Sequence, residues 1–274
     1  NRAGAEPRSG VSRWRLDLLR PSRPEVGMSV ALRARYEREA GEVDRYTNAS
    51  YWDRRYHQRR FDHVAELLAG VVGPTSSVLD VGCGTGEYLL AAGRLGSSQV
   101  VGIDLAHGYC RRAAELAPAA RVCGAELGRL PFADDAFDVV LCTEVVEHLD
   151  PAEARVAAAE LFRVARRAVV LTTPNAQATI RRWGRTLRAA RVDELDAEVG
   201  HINLLDLASV GNLIAAAGWQ VQDLCAVHVL PPVLGELGHL PRGLDPVVGA
   251  VERAADRFVP NHGNCILAVA VPPQ

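Results

Sequence analysis

Val78-Leu79-Asp80-Val81-Gly82-Cys83-Gly84-Thr85-Gly86-Glu87 reads as a buried strand that runs into a glycine turn and then into a helix. Glycines in such a turn permit positive φ and bring backbone N–H groups close to a ligand. A dinucleotide fold would require G-x-G-x-x-G, whereas the glycines here stand at 82, 84 and 86. The third glycine is in the wrong register for a pyrophosphate. Downstream, Val100-Val101-Gly102-Ile103-Asp104 ends a second apolar run on an acid, the position from which a carboxylate accepts hydrogen bonds from both hydroxyls of a ribose.

Outward from this turn, SSVLDVG, SQVVGID, ARVCG, FDVVLCT and RAVVLTT are short β-branched runs separated by helical segments such as GEYLLAAGRLG and AEARVAAAELFRVA. Strands alternating with helices predict an α/β fold, a doubly wound parallel sheet with helices on both faces. After Asn175 the pattern breaks into an Arg-rich and then acidic stretch, read as an insertion over the strand ends at 176–204. A helix from about Leu205 to Ala217 follows, ended by Gly218. WQVQDLCAVHVL is the next expected strand and CILAVAV (265–271) the last; the proline-rich stretch 231–262 between them is a second insertion around one helix. Upstream, 29–75 reads as a helical lid and 76–274 as the main domain. Residues 1–28, rich in Pro and Arg, are expected to be a disordered or artificially appended tail.

The 274 residues are 48% hydrophobic and 23% charged, which excludes a disordered, collagen-like or disulfide-scaffold protein. All 31 basic residues are Arg, and residues 1–60 carry 14 of them against 8 acids, so a basic segment precedes an acidic body. No apolar run reaches membrane-spanning length and no signal peptide is evident, so a cytoplasmic protein is expected. The six cysteines lack C-x-x-C spacing and read as reduced core thiols.

Glu144-Val145-Val146-Glu147-His148 follows directly on the fourth strand. Read as a helix start, it places 144, 147 and 148 at i, i+3 and i+4 on one face, where two carboxylates and an imidazole converge. His201, in Gly200-His201-Ile202-Asn203, returns after the insertion as a fourth candidate.

With these residues the sequence resembles the class I S-adenosylmethionine (SAM) dependent methyltransferases, in particular the type 11-like group that methylates small molecules. VLDVGCGTG matches their first motif and Asp104 their ribose-binding acid; Ala125-Glu126-Leu127 with Leu130-Pro131-Phe132 resembles their adenine loop, although Asp is commoner where Glu126 stands. The resemblance implies a Rossmann-like seven-stranded sheet whose last strand is antiparallel. It also implies SAM as cofactor, held by Asp80, Gly82, Cys83, Gly84, Gly86, Asp104, Leu105, Glu126, Leu127 and Thr143, with Tyr51 and Arg60 from a lid over 46–60 and Arg60 reaching the methionine carboxylate.

Two branches share the E-x-x-E-H motif: quinone-biosynthesis O-methyltransferases, and RNA 3′-end 2′-O-methyltransferases that add a later histidine and bind a divalent metal. Carried over, Glu144, Glu147, His148 and His201 become candidate ligands for an ion such as Mg²⁺, with a catechol-like or ribose-diol acceptor. A histidine-rich stretch expected near His201 in the RNA branch is absent. In metal-free relatives the first acid lies near the cofactor and the histidine faces the substrate, which makes His148 the base, His201 the second candidate and Glu144 a neighbour of the cofactor. The expected reaction is transfer to a small-molecule hydroxyl, such as a secondary metabolite, sugar or quinone-like acceptor, with the base preferred over the metal. Nucleic acid is not the expected partner, oligomeric state is not legible, and intact Glu144 and His148 argue against a non-catalytic SAM-binding protein.

Overall fold

The seven apolar runs pair into one sheet in the order β3-β2-β1-β4-β5-β7-β6. The computed structural model describes residues 30–41, 51–178, 200–228, 245–258 and 261–274. Its strands are β1 (Ser77–Val81), β2 (Gln99–Asp104), β3 (Arg121–Gly124), β4 (Phe137–Thr143), β5 (Ala165–Pro174), β6 (Gln220–Val227) and β7 (Cys265–Val271). Strands β1 to β5 pair in parallel, and β7 runs antiparallel to both β5 and β6, as expected of the last strand.

The helices are α1 (Val30–Gly41), α2 (Tyr51–Val71), α3 (Glu87–Arg94), α4 (His107–Leu116), α5 (Pro151–Val164), α6 (Leu207–Ala216) and α7 (Asp245–Phe258). Every residue of β4 is buried, because apolar clusters cover both sheet faces. One is built around Leu79, Val140 and Leu161, the other around Leu68, Leu89 and Leu141. Strand order reverses between β1 and β4, so a crevice opens beyond their carboxyl ends. The glycine turn, Asp104, Glu144 and Asn175 all follow strands at that edge.

Two sequence expectations need correction. Glu144–His148 does not start a helix: Val146–His148 is a single 3₁₀ turn, and Glu144 sits in the left-handed region at φ 55°. The helix begins at Pro151 because Asp150 caps it, accepting from Ala152 N and Glu153 N, while Glu153 accepts from Asp150 N in return. Of the cysteines, Cys83, Cys142 and Cys265 are buried, but Cys123 is exposed on the edge strand β3; all six are free thiols. The tail 1–28 and most of both expected insertions lie outside the described residues.

Gly86 fixes how the turn meets the helices. It caps α3 at φ 95°, and a Cβ there would lie 2.8 Å from Ala113 Cα on α4. Backbone strain and overpacking act together, so Gly86→Ala should lose roughly 2 to 4 kcal/mol in urea unfolding. Gly93→Ala, inside α3 with open space at its Cβ, should be neutral or stabilising. Equal stability of the two variants would show that this approach is not a constraint.

Candidate functional site

The first wall of the crevice is built from backbone. Gly82 N and Cys83 N donate to Ile103 O at 2.8 and 2.9 Å, which bends the chain after β1 over the end of β2. Asp104 completes the joint: its carboxylate accepts Gly84 N at 3.0 Å and Ala106 N at 2.9 Å. Each carboxylate oxygen has two lone pairs, so these bonds leave acceptor capacity for a ribose. A Cβ on Gly84 would meet no atom within 4 Å, so the turn faces open space there. Beneath it Asp80 is 1% exposed with both oxygens unpartnered, and burial, with Asp104 and Glu87 nearby, pushes its carboxyl up to about 8. An orphaned carboxylate under an open glycine turn fits a ligand that brings a cationic group, as SAM does.

The other expected cofactor residues are more dispersed. Ala125 N donates to Asp104 O, which holds the loop after β3 against the end of β2; Glu126 there is exposed, whereas Leu127 is buried in the core. Leu105 is half-buried and Thr143, the last residue of β4, is buried. Tyr51 opens α2, and Tyr46 lies outside the described residues.

Glu144 and Arg60 meet each other. Arg60, from α2, places its guanidinium 2.9 Å from the Glu144 carboxylate, with side-chain exposures of 15% and 17%. Thr172 Oγ1 donates to Glu144 Oε1 at 2.9 Å, and Cys265 Sγ lies 3.7 Å from that oxygen. The backbone at Glu144 is left-handed and tied by its N–H to Thr172 O, and its carboxylate is not among the ligand atoms that converge with those of Glu147 and His148. The face common to all three is therefore not formed.

Glu147, His148 and His201 do converge, each offering a ligand atom within 4.8 Å of the others. The return of the distant chain follows from main-chain bonds: Ile202 N and Asn203 N both donate to Glu147 O, at 2.9 and 3.0 Å. Glu147 is fully buried; its Oε2 accepts from Thr173 Oγ1 at 3.1 Å while Oε1 has no partner. Burial and the neighbouring Glu144 hold its carboxyl well above the usual range. His148 Nδ1 lies 3.0 Å from Gly200 O, and because a carbonyl only accepts, Nδ1 carries the proton and Nε2 the lone pair. Burial lowers the His148 imidazole to about 4, against the Gly200 bond that raises it. The ring is neutral at neutral pH, and these three side chains have the donor types and spacing that fit a divalent ion.

Tyr36 was not singled out by the sequence. Its ring meets His148 edge-on at 5.6 Å and 83°, and its buried hydroxyl has no partner. Helix α1 is brought there by Glu37, which accepts the amides of His107 and Gly108, at 2.7 and 3.2 Å, at the otherwise uncapped start of α4. The helix facing the histidines lies within the expected 29–75 lid, upstream of its 46–60 segment. His228 is buried against Tyr56 and His63, with its backbone N–H on Asp256.

The Arg60–Glu144 pair gives a stability test. Arg60→Met leaves a carboxylate without its cation and should cost about 3 kcal/mol, the low end for breaking a buried pair. Adding Glu144→Gln should recover part of that loss in chemical denaturation. Strictly additive costs would mean that the pair does not couple.

Residues 79–172 match the type 11 methyltransferase-domain family. Cycloartenol-C-24-methyltransferase 1 of Oryza sativa is 33% identical over 96 residues, covering 33% of this chain and 28% of that protein. A protein of Mycolicibacterium smegmatis named "Probable S-adenosylmethionine-dependent methyltransferase" is 29% identical over 184 residues, 65% of this chain and 63% of that one. This chain therefore spans less than two thirds of either relative. In fold it is similar to magnesium protoporphyrin IX methyltransferase of Synechocystis PCC 6803 with bound SAH, with a TM-score of 0.58 at 16% identity over 88% of this chain and 94% of that one. With the motif, the reversed last strand and the family match in agreement, residues 79–172 carry a class I SAM-dependent methyltransferase domain of the type 11-like group.

Proposed function

We propose that this protein transfers the methyl group of SAM to a hydroxyl oxygen of a small-molecule acceptor, with His148 taking the proton. The observation that carries the reading is the His148 tautomer: Nδ1 donates to Gly200 O, so Nε2 is a lone-pair acceptor throughout the neutral range. SAM supplies a methyl group already activated on a sulfonium. What remains for the chain is to align donor and acceptor and to remove the acceptor proton. Asp104 would take the ribose hydroxyls, the 82–86 turn would hold the methionine portion, and Asp80 would accept its ammonium; Leu105, Glu126 and Leu127 would hold the adenine. Thr143 and Tyr51 complete the cofactor set. Glu144 holds Arg60, whose guanidinium would be shared with the cofactor carboxylate. His201 stands second in line as the base.

A metal-assisted variant is favoured by one observation of its own, the unpartnered Oε1 of Glu147 within ligand reach of His148 and His201. A divalent ion such as Mg²⁺ held there would lower the pKa of a catechol-like or ribose-diol hydroxyl. Glu144, committed to Arg60, would stand outside that ligand set or join it only by leaving Arg60.

Labelled SAM offered to a panel of hydroxyl, amine and carbon acceptors reads the transferred methyl and its attachment atom. With an accepted hydroxyl substrate, His148→Ala should lower turnover by roughly 10²- to 10⁴-fold with little change in SAH affinity. Activity lost in chelator and restored by Mg²⁺ would replace the base reading with the metal one. Methylation confined to nitrogen or carbon would end both.

Asp80 makes a second, acceptor-independent expectation. Its carboxyl is protonated at pH 7 in the free protein and ionises on meeting the ammonium, so SAH binding should release a proton. Calorimetry at pH 7 in buffers of different ionisation enthalpy should detect that release in the parent protein and not in Asp80→Asn. Equal proton release in both would assign it to another group. NAD should not bind.

A further inference from the structure

Helix α7 has its amphipathicity reversed. Its two described acids, Glu252 and Asp256, turn inward and are held by α2: Arg55 bonds Glu252 at 2.7 Å, and Arg59 bonds Glu252 and Asp256, both at 2.6 Å. The apolar side points to solvent, with Val247 58%, Val251 50% and Phe258 78% exposed. With Ala250 and Ala254, also exposed, these residues fill roughly 100° of the helix circumference. Along one flank run Arg253 and Arg257, both exposed. The outward face is therefore apolar and cationic, because the carboxylates that would neutralise it are spent on α2.

We propose that this face of α7 docks the protein on a bilayer surface containing anionic lipid. The area argues for a membrane over a protein. A 14-residue helix is about 21 Å long, and one exposed face some 10 Å wide offers on the order of 200 Å². A stable protein interface needs about 800 Å² from each side, including a dimer through this face, and the Glu252 and Asp256 carboxylates of a second α7 would already be held by Arg55 and Arg59. A bilayer needs no shaped complement. Valines and a phenylalanine enter the acyl boundary while arginines at the rim reach the phosphates. No described helix is long and apolar enough to cross the membrane, so the contact is peripheral.

The test is co-sedimentation of the full chain with vesicles of phosphatidylcholine alone and of phosphatidylcholine with phosphatidylglycerol. The parent protein should pellet with the anionic vesicles only, and less so at high salt. Arg253→Gln and Arg257→Gln should each weaken binding roughly fivefold. The double variant Val251→Asp/Phe258→Asp should weaken it roughly tenfold or more. Both pairs of positions are exposed, and unchanged circular dichroism and SAH affinity would confirm an intact fold. Binding that survives Val251→Asp/Phe258→Asp would overturn the proposal and assign adhesion to the Arg-rich N-terminal segment. A parent protein that stays in the supernatant, or that instead self-associates through α7 in sedimentation velocity, would overturn it as well.

Discussion

Two backbone amides converge on the carboxylate of Asp104, one from Gly84 in the glycine turn and one from Ala106 at the start of α4. On that joint depends everything at the carboxyl edge of the sheet. It sets the turn against β2, and through Ala106 it sets α4, whose first amides then receive Glu37 from α1. Helix α1 in turn lays Tyr36 against His148. A carboxylate buried at this point is costly to ionise, and its main-chain bonds offset part of that cost. The same group therefore shapes the crevice and keeps acceptor capacity inside it.

The electrostatics of the crevice are organised by separation. Asp80 and Glu147 are both buried carboxyls with unpartnered oxygens, and each is held in its neutral form chiefly by burial, with nearby acids adding to the effect. Glu144 lies between these environments and stays paired, because α2 delivers Arg60 to it. A site with two unsatisfied carboxyls and one committed cation is poised for cationic or polar ligands rather than anionic ones. This suits a sulfonium donor at one end and a hydroxyl, or a metal ion, at the other.

Most of the fold was legible because its inner strands are short β-branched runs buried on both faces, a pattern that hardly depends on context. Val78–Glu87 and Gln99–Asp104 carried both the topology and the cofactor edge. The site was less legible where the backbone departs from regular geometry. Helical spacing at 144, 147 and 148 suggested one face, but a non-glycine residue at positive φ broke it, and nothing in E-V-V-E-H announces that conformation. His201 was found from its residue type, although the bonds that bring it back are from Ile202 and Asn203 amides, which every sequence possesses. Tyr36 left no signal, since its place depends on a carboxylate capping a helix 70 residues away.

Helix α2 joins the two regions that remain open to function. Arg55 and Arg59 lie one turn apart and hold α7, while Arg60, about 100° further round, holds Glu144. The surface helix and the Glu144 pair are thus held from neighbouring faces of the same few residues. The ion pair with Glu144 is too buried to be remade by water at little cost. The arginine spacing on α2 ties the α7 ion pairs and the Glu144 pair to one helix.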